Sequence, residues 1–289
     1  MHKGTPFIEP EQEPTPFATA EAFFNECAHL HQYLIERVRP RVQQVATGSA
    51  EPFYEMLLRT ISWLRSLSKL KEPSDFQGVV AANRTLFEIA VDATLMHFDE
   101  RSYPAAMLLA WEESAKLKAA QKVQNFYSGK PVPLGCTPLI QFIAKDTNRV
   151  EALRVKYWPT KKGKARHPDR WTGLTLEEDA GIATKLFPDG NFDEFYATRN
   201  AHLCWNTHGS GLVGARGVSE EDFPAISALA FRGSAEFGEI VAKLVLHHFK
   251  LWGGDVEQEF EQHRVARLRT TYKVMTQTQA APPPSAPRL

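Results

Sequence analysis

Val79 to Phe98, VVAANRTLFEIAVDATLMHF, carries apolar residues in nearly every direction except one row, Arg84, Glu88 and Asp92, whose members stand four apart. Residues four apart stack on one face of an α-helix, so the stretch reads as a buried helix with a single charged row. A half-buried strand would alternate polar and apolar residues, and no such alternation is present.

The same helical period continues on both sides. Upstream, Phe23, Phe24, Cys27, Leu30, Leu34 and Val38 predict a helix over 17–45 that Pro40 kinks or ends, and Met56, Leu57, Ile61, Leu64 and Leu67 predict another over 53–70. Lys71-Glu72-Pro73 stops that one, and Ser74 with Gln77 has the spacing of a capping box opening the Val79–Phe98 helix. Downstream, helices are predicted over 105–127, from Thr137 as cap to Tyr157, and from Thr175, boxed with Glu178, to Phe187. Three more follow, over 191–206, from Ser219, boxed with Asp222, to Trp252, and over 255–274. The class is therefore all-α, a helical bundle of about eight to nine helices. It is expected as one domain over 17–274, with a subdivision, if any, near 130–137. Pro6, Pro10, Pro14 and Pro16 predict an extended arm over 1–16, and Pro282, Pro283, Pro284 and Pro287 a disordered tail over 275–289.

With 43% hydrophobic and 24% charged residues the composition is globular, and 34 basic residues balance 34 acidic ones. Overall charge therefore demands no polyanionic partner, and nucleic-acid binding would rest on a local patch. Cys27, Cys136 and Cys204 are odd in number and far apart, which disfavours a disulfide framework and fits a cytoplasmic location. The most apolar late segment, Ala225 to Phe249, is interrupted by Arg232, Glu236, Glu239 and Lys243, so neither a spanning helix nor a membrane partner is expected.

Candidate chemistry falls into three groups. The row Arg84, Glu88, Asp92 is either an ion pair bracing the bundle or a charged face turned into a pocket. In the 191–206 helix, Phe195, Arg199, His202 and Asn206 lie along one stripe, with Trp205 beside them and His208 following. An arginine can clamp a phosphate and a histidine can move a proton near neutral pH, the minimum needed to cleave RNA by its own 2′-hydroxyl without a metal. The bland alternative is a hydrogen-bonded core histidine and a paired arginine. Third, Lys161, Lys162, Lys164 and Arg166 make a basic loop between Trp158 and Trp171, either a solvated loop or a site for single-stranded nucleic acid.

Other patterns carry less. Gly209 to Gly214 spells G-x-G-x-x-G, but a predicted helix rather than a strand precedes it, which disfavours a dinucleotide fold. Glu26-x-x-His29 is half of a di-iron motif without its second half, and the adjacent His247 and His248 point apart, so no metal and no cofactor are expected.

The order Arg84-x-x-x-Glu88, Trp171-x-Gly173, then a helix ending in His208-Gly209-Ser210 resembles the bacterial family catalogued as domain of unknown function 5677, over roughly Pro52 to Trp252. That resemblance implies an all-helical fold and no established reaction. The chain is more distantly similar to the HEPN-like helical nucleotide-binding proteins and ribonucleases, whose Arg-Asn pair is matched by Arg199-Asn200. Their histidine follows after four to six residues, where this chain has Cys204, Trp205 and Asn206, with His202 before and His208 after. The resemblance implies RNA or a nucleotide as ligand and a homodimer as assembly. On the reading of the residues themselves, Arg199, His202, His208 and Glu88 would be the catalytic groups, and Arg84, Asp92, Trp171, Trp205, Asn206 and the four basic loop residues would bind ligand. A noncatalytic interaction module, whose polar residues are structural, is the other reading.

Overall fold

The computed structural model describes residues 16–46, 52–72, 75–98, 104–159, 168–200 and 222–277, and among them there are helices and turns but no β-strand. The chain divides into two compact units, residues 1–93 with 190–289, and residues 94–189. The Pro131–Thr137 interval lies inside the second unit, between two helices. No helix among the described residues is long and apolar enough to cross a membrane.

In the first unit, helix α1 (Pro16–Tyr33) passes through a π-helical turn, Leu34–Val38, into α2 (Arg39–Val45). Proline at position 40 has no N–H and crowds the carbonyl four residues back, and the wider turn just before it, with Arg39 N–H bonding to the Leu34 carbonyl, absorbs the misfit. α3 (Pro52–Leu67) and the first part of α4 (Phe76–Phe98) follow as expected. Ser74, the expected cap of α4, lies outside the described residues.

After a short helix α8 (Phe192–Phe195), discussed below, comes the long helix α9 (Phe223–His248), around which this unit is built. It starts later than expected, with Asp222 at its N-cap and Pro224 in its first turn, and stops at His248 because Lys250 takes a left-handed φ of 57°. Ser219 lies outside the described residues. Small residues let other helices come close to α9: a Cβ on Gly238 would stand 3.1 Å from side-chain carbons of Leu30 and Leu64, and one on Gly233 would stand 2.9 Å from the Asn83 amide. Phe24 meets Phe231 edge-on, and the Cys27 thiol donates to the Phe231 carbonyl at 3.1 Å. The charges that interrupt this apolar helix are engaged: Arg232 pairs with Glu236 on the surface, Glu239 with Arg267 of the last helix, α10 (Gly254–Gln277), and the Lys243 ammonium lies over the Trp252 ring.

The second unit holds the rest of α4, then α5 (Pro104–Phe126), α6 (Thr137–Tyr157) and α7 (Leu176–Leu186). α6 begins one residue away from expectation: Cys136 is the N-cap, without a side-chain bond, and Thr137 is already helical. α7 opens on the expected capping box, in which Thr175 and Glu178 each satisfy the other's backbone N–H.

Candidate functional site

The 191–206 segment starts as a helix for a sequence reason. Asn191 takes a left-handed conformation, φ 44°, tolerable for asparagine, and turns the chain from the Pro188–Gly190 turn into α8. Gly190 cannot carry a side chain, since a Cβ there would lie 2.4 Å from the Phe192 ring. Phe192 and Phe195 are buried, and Phe195 packs on Phe87 of α4 at 4.6 Å and edge-on against Phe237 of α9 at 4.8 Å. The helix then widens into a π-helical turn, Tyr196–Asn200, a local form that often marks functional positions.

Arg199 stands on this turn. Its guanidinium lies over the Phe195 ring, 5.8 Å from the centroid, and it is half-buried with no carboxylate in ion-pair range among the described residues. Asn200, beside it, is buried, and its Oδ1 has no hydrogen-bond donor among the described residues. An unsatisfied buried carbonyl costs about 1–3 kcal/mol.

Phe195 meets the face of α4 that carries Asn83 and Phe87. Asn83 donates to the Ser234 hydroxyl at 3.1 Å, and Gly233 of α9 lies close to both Asn83 and Phe195. Arg84 and Glu88 are each one residue further on, about 100° around the helix. They bond to each other, Nε to Oε1 at 3.0 Å, with side chains 28% and 34% exposed. Asp92 is also half-buried. The row is thus a partly solvated edge of α4 rather than a buried one.

Other expected site residues belong to the second unit or lie outside the described residues. Trp171 is 1% exposed, and Trp158 is buried with its indole N–H donating to the Trp171 carbonyl at 3.0 Å. Neither ring is an open stacking surface. Lys161, Lys162, Lys164, Arg166, His202, Trp205, Asn206, His208 and the glycine run 209–214 lie outside the described residues. Among the described residues no cluster of acidic, histidine and cysteine groups could hold a metal ion.

Two buried charge networks were missed in the sequence. In the first unit, Arg267, 1% exposed, pairs with Glu26 at 3.2 Å and with Glu239, while Thr271 donates to the other Glu26 oxygen. Burial raises the Glu26 carboxyl above the ordinary range against the pull of Arg267. In the second unit, fully buried Asp179 accepts from Arg170 and Thr172. Both networks read as bracing.

No family model matches the chain, and no curated protein or solved structure is detectably similar to it.

Proposed function

We propose that the chain binds a phosphate-bearing ligand, of the RNA class, on the part of the first unit where Arg199 stands. The observation that carries this reading is the Arg199 guanidinium, held on an aromatic face, half-buried, and without a carboxylate in ion-pair range among the described residues. A cation so placed has its charge available to a phosphate, whereas most other arginines of the fold are already engaged. In the enzymatic form of this reading Arg199 stabilises the developing phosphorane, and His202 or His208 takes the proton of the 2′-hydroxyl. Glu88 then orients Arg84 at the edge of the site. A cytoplasmic location and assembly as a homodimer belong to the same proposal, from the separated cysteines and the family resemblance.

The buried pairing of Arg267 with Glu26 and Glu239 favours a second reading, a noncatalytic module in which polar residues brace helices. One experiment separates the two. The full chain is incubated with a labelled oligoribonucleotide in EDTA, beside Arg199→Ala and His208→Ala, with binding read by anisotropy and cleavage by gel. Binding lost at least tenfold in Arg199→Ala, at unchanged melting temperature, supports the ligand reading; equal binding or cutting by the variant removes it.

A further inference from the structure

α5 and α6 form an antiparallel hairpin. Lys116 Nζ lies over the Phe142 ring at 4.4 Å, and Arg149 donates to Glu113 at 2.6 Å, which fixes the register. Toward the base the seam is packed, with Ser114, Leu117 and Ala120 of α5 and Val150 and Arg154 of α6 buried. From residue 121 to residue 149 no side chain is buried. Phe126 is 64% exposed, Val132 40% and Leu134 90%, while Leu139, Ile140, Phe142 and Ile143 of α6 are mostly covered but each keeps part of its surface open. Two helices cannot enclose a core by themselves, so apolar surface that a third element would cover lies open along the distal seam.

The same span has a one-sided charge. Between Ser114 and Lys145 there is no aspartate or glutamate, and there are five lysines, Lys116, Lys118, Lys122, Lys130 and Lys145, in a chain whose acids and bases balance. None is paired with a described carboxylate, and Lys116 and Lys130 rest on the rings of Phe142 and Phe126.

We propose that the distal half of this hairpin is a docking arm for an acidic amphipathic helix of a partner protein. The partly open apolar residues recur along α6 within a helical turn of one another, which suits the i, i+3, i+4 spacing of a helix laid along the seam. The lysines run the length of the arm rather than ringing its tip, so they match a rod lying along it better than a flat surface touching its end. Five cations, none paired with a described carboxylate and with no acid in the span between them, oppose face-to-face pairing of two identical arms. The proposal is independent of the Arg199 site, since it concerns the other compact unit.

The probe is a synthetic peptide of three heptads, leucine at a and d and glutamate at most other positions, against a counterpart with lysine in place of glutamate. Binding of each labelled peptide to the full chain is measured by anisotropy at low and high salt. The acidic peptide is expected to bind at least tenfold more tightly than the basic one. Lys118→Glu/Lys122→Glu and Phe126→Ser/Leu134→Ser should each weaken it at least tenfold; all four positions are exposed, and circular dichroism checks the fold. No binding, equal binding of both peptides, or binding untouched by both double variants overturns the proposal. It is equally overturned if the same substitutions instead abolish binding to phosphatidylserine vesicles, or convert a dimer to a monomer, while the peptide does not bind.

Discussion

Arg170 Nε donates to Asp179 Oδ2 at 2.5 Å, and the Thr172 hydroxyl donates to that same oxygen at 2.8 Å. Asp179 is wholly buried and Arg170 nearly so, which makes this a desolvated pair that joins the turn before α7 to the helix itself. Removing one partner of such a pair strands the other charge, at about 3–5 kcal/mol. Asp179→Ala should therefore lower stability by about that amount in urea unfolding. An unchanged unfolding midpoint would show that the pair does not hold the turn.

The Trp171-x-Gly173 pattern has a physical basis in the same turn. Gly173 takes φ +80°, and a Cβ there would lie 3.2 Å from the Trp158 ring, whose N–H is committed to the Trp171 carbonyl. A side chain costs about 1–2 kcal/mol in that conformation even without the contact. Gly173→Ala should destabilise by at least that much. Gly181→Ala, inside α7 with open space around a new Cβ, should stabilise by about 0.5–1 kcal/mol. Thermal unfolding of the two variants gives the comparison; the same sign in both would contradict it.

The helices were legible because their signals are local. The charged row on α4 and the Thr175–Glu178 box depend on spacings of three and four, which a sequence displays directly. Pro40 marks a break near the π-helical turn at Leu34–Val38 but not its form, and no comparable spacing marks the one at Tyr196–Asn200. Glu26 and Arg267 are separated by 241 positions, so nothing near either residue reveals the pair. At the candidate site the Arg84–Glu88 contact follows from its i, i+4 spacing, but burial of Trp171 does not: a tryptophan beside basic residues reads alike as stacking platform or core.

Thiol chemistry should separate Cys27 from Cys136. Cys27 is fully buried between α1 and α9, bonded to the Phe231 carbonyl, and burial pushes its thiol far above the usual range. Thiolate is the reactive form, so the native protein should leave Cys27 unlabelled by iodoacetamide at pH 8 while half-exposed Cys136 is alkylated. Peptide mapping reads the two sites separately. Labelling of Cys27 as fast as Cys136 without denaturant would mean that α1 and α9 open readily.

Acid should weaken the first unit through His263. Its imidazole stacks on Tyr33 at 4.0 Å, and burial, with Arg267 and His29 nearby, lowers its pKa to about 4 despite the opposing pull of Glu259. An unfolded histidine titrates near 6.5. Between those values the unfolded chain binds the extra proton, so stability is fully present above about pH 6.5 and is lost as pH falls toward 4. Glu26 works in the opposite sense, because its raised carboxyl favours the folded state as it takes up a proton. The comparison that isolates the imidazole is therefore wild type against His263→Phe, which keeps a ring against Tyr33 and cannot titrate. The variant should lose less stability than the wild type between pH 7 and pH 5 in urea unfolding. Equal losses would assign the acid sensitivity to other groups.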